Sequence, residues 1–417
     1  MKETLKAIIK DFHKRGVPKL IERDICVPLN SNKIVSIIGP RRAGKTYLMY
    51  QVISKIKDTT NVIYINFEDE RLELTSKELN QIIESYFEIY PSKKEKDLYF
   101  FFDEIQEING WEKFVRRIYD TISKNIFITG SSSKLLSKEI ATSLRGRTVT
   151  YEVLPLSFKE YLKFKKIEKD VHSTKGKAGL VSCFNGYLEK GGFPETVDMN
   201  KELYEKSLRN YFEVMVYRDI VERYDISNIS SLKSFIKRLV ANTSREFSIN
   251  KIFNNLKSEG VKTSKDSLYK FLDYCEDAYI IMPISNFSES LSKQTIKKSY
   301  SIDTGLSSML SFTLSKNKGR LFENVILLEL KRRSNEVYYY KERIECDFII
   351  KEKDRITQAI QVCYDLNENN QEREVNGLKE AMKRFGLKKG LIVTYNQKKK
   401  IGSIGVIPAF EWLLEKR

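Results

Sequence analysis

The sequence predicts an α/β protein in which a parallel β-sheet comes first, followed by a helical block and a second, smaller α/β unit. Residues 31–155 alternate short apolar strands with helices, as parallel sheets with crossover helices do. From about residue 156 that alternation gives way to helical patterns, and strands return near the C-terminus. A chain of 417 residues exceeds one ordinary core. We therefore predict four segments: residues 1–155, a helical lid or linker at 156–202, a helical domain at 203–312 and an α/β domain at 313–417.

The first predicted strand runs into a glycine-bounded loop and then into a helix that begins at Lys45. The pattern Gly-x4-Gly-Lys-Thr, from Gly39 to Thr46, is typical of phosphate-binding loops. The glycines let backbone N–H groups point at a β-phosphate, Lys45 reaches the β- and γ-oxygens, and the Thr46 hydroxyl ligates Mg²⁺. The predicted nucleotide-binding residues are Gly39, Pro40, Arg41, Arg42, Ala43, Gly44, Lys45, Thr46 and Tyr47.

Two acids follow the most apolar strand. Leu98–Phe102 are five consecutive apolar residues, which predicts a central strand buried on both faces, and Asp103 and Glu104 come directly after them. Asp103 would complete the Mg²⁺ shell, and Glu104 would polarise a water molecule for attack on the γ-phosphate. After a phosphate-binding loop, this pair predicts hydrolysis. It also argues against a GTP switch, in which a glutamine usually positions the water.

Four further residues have more than one interpretation. Ser131, the first of three serines after the next strand, could contact the γ-phosphate or cap the following helix. Arg145 and Arg147 could stabilise transition-state charge, in cis or across a subunit boundary, or could simply pair on the surface. Arg23 could contact the adenine end of a nucleotide, but a solvated turn is the preferred interpretation.

The helical domain contains a predicted winged helix-turn-helix. The turn Ser258–Val261 joins two helices, and apolar residues Ala278–Ile281 and a segment around Lys297–Tyr300 are the predicted wing strands. The second helix could contact the DNA major groove, or the fold could serve only for packing. The candidate DNA contacts are Ser264, Lys265, Ser267 and Lys270.

The net charge of +17 predicts a polyanionic partner, with solubility alone as the alternative. Residues 291–341 hold ten Lys/Arg against four acids, which favours nucleic acid, and DNA in particular. No run approaches ~18 apolar residues and the start lacks a signal core, so we expect neither a membrane span nor secretion. Five cysteines without a CxxC pair and only two histidines predict a reducing, cytoplasmic setting without a zinc site.

The last α/β unit carries an incomplete metal-site pattern. Glu323 on a helix and Asp347 on a strand indicate a restriction-type site, in which carboxylates hold Mg²⁺ and a lysine helps activate water. The next strand should carry Glu-x-Lys but reads Gln361-Val362-Cys363. Glutamine adds no negative charge and cysteine cannot replace an ammonium. A retained fold with a lost or altered active site is therefore the preferred interpretation.

As a set, these stretches resemble the prokaryotic, largely archaeal AAA-type ATPases that carry a C-terminal domain of unknown function, DUF4143. The resemblance covers nearly the whole chain and implies ATP rather than GTP, a P-loop NTPase core of the AAA/ASCE type, a winged-helix segment and a restriction-endonuclease-like tail. Its motifs are Gly39–Thr46, Tyr64–Glu68, Asp103–Gln106 with Trp111, Thr129–Ser132, Leu144–Arg147, Leu154–Phe158, Gly191–Glu195, Tyr217–Ile220 and Asp303–Leu306.

Three functions compete. The leading hypothesis is an ATPase that binds Mg·ATP at Lys45, Thr46 and Asp103 and couples hydrolysis to DNA binding or remodelling. The second is a nucleotide-controlled regulator that docks DNA or a protein partner. The third is an ATP-gated nuclease that uses Glu323 and Asp347. The sequence leaves an oligomer open in each case.

Overall fold

The computed structural model describes residues 1–131, 144–288, 296–311, 318–333 and 336–415. The chain divides into two compact units, residues 1–153 and residues 154–417. The helix expected from Lys134, together with Ser132 and Ser133, lies outside the described residues. The three later domains expected from the sequence fall within the second unit, and their boundaries stay predictions.

A five-stranded parallel sheet forms the centre of the first unit, as predicted. Its order is β2-β3-β4-β1-β5, and every pairing is parallel. The strands are β1 (Ile34–Ile38), β2 (Val62–Asn66), β3 (Tyr99–Asp103), β4 (Ile126–Gly130) and β5 (Thr148–Glu152). The carboxyl ends of all five strands therefore meet at one edge, where ligands bind in open α/β sheets. Because β4 lies between β1 and β3, its last residues are placed between the phosphate-binding loop and the acidic pair.

Helices cover both faces of this sheet. Phe100 and Phe102 pack in the core on one face, whereas Phe101 belongs to the other face and stacks on Phe127 at 4.5 Å between ring centroids. This alternation confirms that the apolar run before Asp103 is a strand buried on both sides. The helices are α1 (Lys2–Arg15), α2 (Lys45–Ile53), α3 (Asn80–Ile89) and α4 (Trp111–Thr121).

The second unit begins with helices. They are α5 (Phe158–Phe164), α6 (Thr174–Lys190) and α7 (Lys201–Val216), and α7 continues into a π-helical turn at Tyr217–Glu222. Next come α8 (Ile229–Ala241), β6 (Arg245–Phe247), α9 (Ile249–Ser258), α10 (Lys265–Asp277), β7 (Ile284–Ser285), β8 (Lys297–Ser299) and α11 (Thr304–Leu310). From α8 to β8 the order is helix, strand, helix, helix, strand, strand. The three strands form an antiparallel sheet, β6-β8-β7, as in a winged helix.

One predicted wing strand is wrong. Residues 278–280 form the turn that follows α10, where Tyr279 adopts a left-handed φ of 57°, and Ile281 makes an isolated antiparallel bridge with Ser301 rather than part of a strand. The Ile280 N–H donates to the Cys275 carbonyl of α10, and the whole apolar run is buried in the helical core. The run therefore reflects burial at a helix end, and the strand begins later, at Ile284.

The C-terminal part of the second unit contains a six-stranded mixed sheet. Its order is β13-β14-β12-β11-β10-β9, with β9, β10 and β11 antiparallel and β11, β12 and β14 parallel. Its elements are α12 (Lys318–Arg333), β9 (Val337–Lys341), β10 (Glu345–Glu352), β11 (Arg355–Cys363), α13 (Glu368–Phe385), β12 (Gly390–Thr394), β13 (Lys399–Ile401), β14 (Ile404–Pro408) and α14 (Ala409–Trp412). A helix, three antiparallel strands, a helix and a parallel strand form the expected restriction-endonuclease-like core. The sequence did not predict α13, β13 or β14.

Among the described residues, no helix is both long enough and apolar enough to cross a bilayer.

Candidate nucleotide-binding site

The loop after β1 has the backbone geometry of a phosphate cradle. Gly39 has φ of 149°, and a Cβ added there would lie 2.2 Å from the Val153 carbonyl oxygen. Gly44 is left-handed, with φ of 95°, and is the N-cap of α2. Both positions therefore require glycine. The loop delivers the chain directly into the first turn of a helix, whose N-terminus favours anions.

Lys45 is buried inside this loop. Its Nζ lies 3.2 Å from the Gly39 carbonyl oxygen and 3.3 Å from that of Pro40. The same ammonium lies 3.4 Å from Glu104 Oε1, so the loop and the acidic pair share one cation.

Asp103 is the most enclosed acid of the site. Thr46 Oγ1 and the Tyr64 hydroxyl donate to its Oδ2 at 2.7 and 3.0 Å, and Thr129 Oγ1 donates to Oδ1. Burial raises the pKa of Asp103 and the neighbouring Glu104 carboxylate raises it further, while the three hydroxyl donors act in the opposite direction. These hydroxyls come from α2, β2 and β4, so Asp103 joins three elements.

Glu104 is held on the other side of the same strand end. Its backbone is left-handed, with φ of 50°, and its N–H donates to Thr129 Oγ1 at 2.8 Å. Gln106 Nε2 donates to Glu104 Oε2 at 2.6 Å. Burial by itself would raise the pKa of Glu104, but the Lys45 ammonium and the Gln106 amide outweigh it and hold that pKa below its usual range. An ionised carboxylate of this kind can accept a proton at neutral pH.

The donor set fits a magnesium ion bound together with phosphates. The Thr46 hydroxyl and the Asp103 carboxylate lie 2.7 Å apart at the mouth of the loop. Mg²⁺ in such sites takes one or two protein oxygens and completes its shell with water and substrate phosphates. Within the described parts of the chain, no group of three or more His, Cys, Asp or Glu side chains could hold a metal by itself.

The structure places the remaining predicted loop residues at the edge of the cradle. Arg41 pairs with Glu68 at 2.8 Å, and Arg42 is exposed with φ of 65°. The Tyr47 side chain on α2 is 54% exposed, so only its backbone lies within the first helical turn. Ser131 is fully buried directly after β4.

Arg145 and Arg147 do not reach this site within one chain. They directly precede β5, which runs parallel to β1, so they lie at the edge of the sheet where the strands begin. The phosphate-binding loop lies at the opposite edge, and the length of a five-residue strand, about 16 Å, separates the two. Arg147 instead pairs with Asp120 at 3.1 Å. The in-cis version of the predicted role is therefore wrong, because the parallel topology separates the two ends of every strand.

Several functional side chains were missed or misinterpreted from the sequence. Arg23 is buried rather than solvated, and its guanidinium donates to the Ala43 carbonyl of the loop at 2.7 Å. Gln51 on α2 bonds the Arg23 backbone, which fixes the segment under the loop. Tyr64 and Thr129 both contact Asp103. Thr129 could have been identified from the sequence, because it is a polar residue near the end of an otherwise apolar strand.

The carboxylates of the C-terminal unit surround a lysine. Lys298 of β8 is 2% exposed, and its Nζ lies 2.6 Å from Glu345, 3.3 Å from Glu323 and 3.6 Å from Asp347. The Tyr300 hydroxyl donates to Glu323 at 2.6 Å. Burial alone would lower the pKa of Lys298, but the carboxylates raise it well above its usual value. The Lys298 ammonium thus lies among the carboxylates that were expected to bind a metal.

The basic window at residues 291–341 is not a free surface. Lys298 is committed to carboxylates, and Lys341 pairs with Glu246 and Glu345. Arg332 donates to the Pro155 carbonyl, and Arg333 pairs with Glu329 and stacks over Trp412. Lys293 and Lys316 lie outside the described residues. The clustering of cations in this stretch of sequence therefore does not by itself indicate a DNA surface.

Comparison with known proteins agrees with this architecture. An AAA domain matches residues 31–162, a domain of unknown function (DUF8612) matches 182–317, and a domain of unknown function (DUF4143) matches 318–412. The uncharacterized protein MJ1544 of Methanocaldococcus jannaschii is 45% identical over 415 residues, covering 95% of this chain and 91% of that protein. The chain belongs to the prokaryotic AAA-type P-loop ATPase family with a C-terminal DUF4143 domain.

The same family extends to bacteria. An uncharacterized protein of Haemophilus influenzae is 32% identical over 397 residues, covering 92% of this chain and 94% of that protein. Among solved structures, the Walker-type ATPase PABY2304 of Pyrococcus abyssi is similar with a TM-score of 0.44 and 16% identity, covering 74% of this chain and 95% of that one. The Aeropyrum pernix ORC1 protein, solved in complex with DNA, has a TM-score of 0.31 and 10% identity, with 73% and 90% coverage.

Proposed function

We propose that this protein is a Mg²⁺-dependent ATPase. The supporting observation is the convergence of Lys45, Thr46, Asp103 and Glu104 at one edge of the sheet. The loop backbone and Lys45 would bind the phosphates, and Thr46 and Asp103 would hold the ion, which supplies charge neutralisation at the phosphate oxygens. The negative charge of Glu104, preserved by Lys45 and Gln106, suits it to accept a proton rather than to donate one.

Hydrolysis would proceed by in-line attack. The oxygen of a water molecule forms a bond to the γ-phosphorus, and one proton of that water passes to the Glu104 carboxylate. The bond from the γ-phosphorus to the bridging oxygen breaks, and ADP leaves with the electron pair. Arg145 or Arg147 could act in this step only from a second copy of the chain, because neither reaches the loop of its own chain.

Replacing Glu104 by glutamine tests the assignment. Glu104→Gln keeps the shape of the side chain but removes the base, so ATP should still bind while turnover falls about 100-fold or more. Lys45→Ala should instead abolish binding. Nucleotide affinity and steady-state phosphate release measured on the full chain separate the two effects. Wild-type turnover by Glu104→Gln would refute the proposed base.

We also propose that the ATPase acts on DNA, and a second basic stretch supports this. Residues 379–400 hold eight Lys/Arg against one acid. Ile404 of β14 pairs both with Gly390 at the start of β12 and with Ile401 at the end of β13. The preceding residues, Lys389 and Lys400, are thereby brought to within about 10 Å of one another. Six of the exposed cations in this stretch are Lys383, Arg384, Lys388, Lys389, Lys399 and Lys400. We call these six residues the basic surface.

The exposed side of α10 gives weaker support for DNA contact. Lys265 and Lys270 are exposed, but α10 as a whole carries four acids against these two lysines. ATP turnover with and without duplex DNA, across salt concentrations, tests the coupling. Stimulation that falls steeply with salt would support phosphate contacts. Very slow turnover combined with nucleotide-dependent DNA affinity would favour the regulator instead.

A further inference from the structure

Gln106 contacts the proposed base directly, and the catalytic scheme above uses only its amide nitrogen. It lies in the short 3₁₀ turn Ile105–Glu107 directly after Glu104, and its Nε2 donates to Glu104 Oε2 at 2.6 Å. An ionised carboxylate only accepts hydrogen bonds, so the amide must present its nitrogen to Glu104. The orientation of the amide oxygen is thereby fixed as well.

This orientation leaves the amide oxygen without a donor. Gln106 Oε1 is buried and has no hydrogen-bond partner within the described residues. A buried carbonyl left unsatisfied is destabilising, so native proteins usually provide such an atom with a partner or a water molecule. Here the unsatisfied acceptor belongs to the amide that holds the proposed general base.

We propose that Gln106 is a positioning residue for hydrolysis: its amide nitrogen fixes the Glu104 carboxylate, and its amide oxygen accepts a hydrogen bond from the attacking water. The water would then donate to two acceptors. One of its protons would point at Gln106 Oε1, and the other would be transferred to Glu104. Two acceptors fix the orientation of the water oxygen relative to the γ-phosphorus, which a single carboxylate does not. The inference rests on the ATPase function proposed above.

The test compares Gln106→Leu and Gln106→Asn with the wild-type full chain. For Gln106→Leu we expect kcat to fall about 10- to 100-fold, with KM for ATP within about twofold of wild type. Gln106→Asn retains the amide on a shorter arm and should recover part of kcat. Gln358→Leu, at an exposed position of β11, is the matched control and should leave kcat and KM unchanged. An unchanged kcat in Gln106→Leu, or a loss confined to KM, would overturn the proposal.

Glu104→Gln in the same assay separates this inference from the proposed function. If Glu104→Gln is inactive while Gln106→Leu keeps the wild-type kcat, only the role of Gln106 is wrong. If Glu104→Gln turns over at the wild-type rate, the base assignment fails and the role of Gln106 fails with it. Binding of a fluorescent ATP analogue by each variant checks that the loop is intact.

Discussion

Asp103 combines burial with three hydroxyl donors, which sets its electrostatics apart from those of an exposed carboxylate. Burial disfavours the charged form, whereas the hydroxyls of Thr46, Tyr64 and Thr129 stabilise it. A Mg²⁺ ligand must be ionised, so each donor strengthens the candidate metal site indirectly. Among the three, Tyr64 can be changed with the least disturbance, since Thr46 would itself ligate the ion and Thr129 also accepts from the Glu104 N–H.

We predict that Tyr64→Phe weakens the response of turnover to Mg²⁺ in a pH-dependent way. Removing the phenol raises the pKa of Asp103 further, so its ionised form is lost at a higher pH than in the wild type. The loss of one hydrogen bond of about 1 kcal/mol should raise the half-saturating Mg²⁺ concentration by up to about fivefold, and by more at low pH than at high pH.

Magnesium titrations of turnover at pH 6, 7 and 8 measure this effect. Tyr50→Phe is the matched control, because the Tyr50 hydroxyl contacts Tyr64 at 3.3 Å and the Tyr64 donor to Asp103 stays in place. An equal rise in the half-saturating concentration at all three pH values would show that Tyr64 does not act through the ionisation of Asp103.

At the scale of elements, β8 connects the three-stranded sheet to the C-terminal core through one buried charge. Lys298 lies on β8, Glu323 on α12, and Glu345 and Asp347 on β10. Three carboxylates share this ammonium, so removing it leaves buried negative charges close together. The Lys298 ammonium lies among the carboxylates that a metal ion would have to contact. We therefore do not propose the nuclease function.

We predict that Lys298→Met lowers the free energy of unfolding of the second unit by about 3–5 kcal/mol at pH 8. The loss should be smaller at pH 5, because burial already raises the pKa values of Asp347 and Glu323 and protonation relieves their repulsion. Urea denaturation monitored by circular dichroism at both pH values measures the change. Lys297→Met, at the neighbouring position of β8, is the control. Equal stability of the two variants would contradict a structural role for the cluster.

Local sequence patterns predicted the elements better than the contacts between them. The strand, loop and helix around Lys45 follow from the apolar run, the glycines and the period of α2, all of which are local. Arg23, by contrast, is a charged residue in a polar lead-in, and only the folded chain shows that its guanidinium satisfies the Ala43 carbonyl. Lys298 was counted as surface charge for the same reason, since nothing within β8 reveals the carboxylates of α12 and β10.

The apolar run at residues 278–281 shows a second limit of sequence reasoning. A short apolar run of four residues has the same composition whether it is a strand or the buried end of a helix. The hydrogen bond from Ile280 to Cys275 decided between them, and that bond depends on where α10 ends. Likewise, the topology that separates Arg147 from the loop is a property of the whole sheet, and a linear pattern of motifs does not contain it.

At the scale of the whole molecule, net charge matters less than which cations are exposed to solvent. The net charge of +17 includes cations such as Lys298 and Arg332 that are committed to internal contacts. The basic surface is different, since its six residues are exposed and come from α13, β13 and the segment before β12. Long-range attraction of a polyanion depends on such a surface rather than on the total.

We predict that neutralising three cations of the basic surface weakens duplex DNA binding and its dependence on salt. Each lost phosphate contact should reduce the slope of log K against log salt by about 0.9, so changing Lys388, Lys389 and Lys400 to alanine should reduce it by roughly 2–3. The matched control changes Lys166, Lys175 and Lys177, which are exposed in the same unit, and removes the same charge. Fluorescence anisotropy with a labelled duplex at 50–300 mM salt gives both slopes, and ATP turnover without DNA should be unchanged in both variants. Equal reductions of the slope in the two variants would mean that total charge alone governs binding. No reduction of the slope in either variant would place the phosphate contacts elsewhere. The result therefore decides whether DNA binds at this end of the C-terminal sheet.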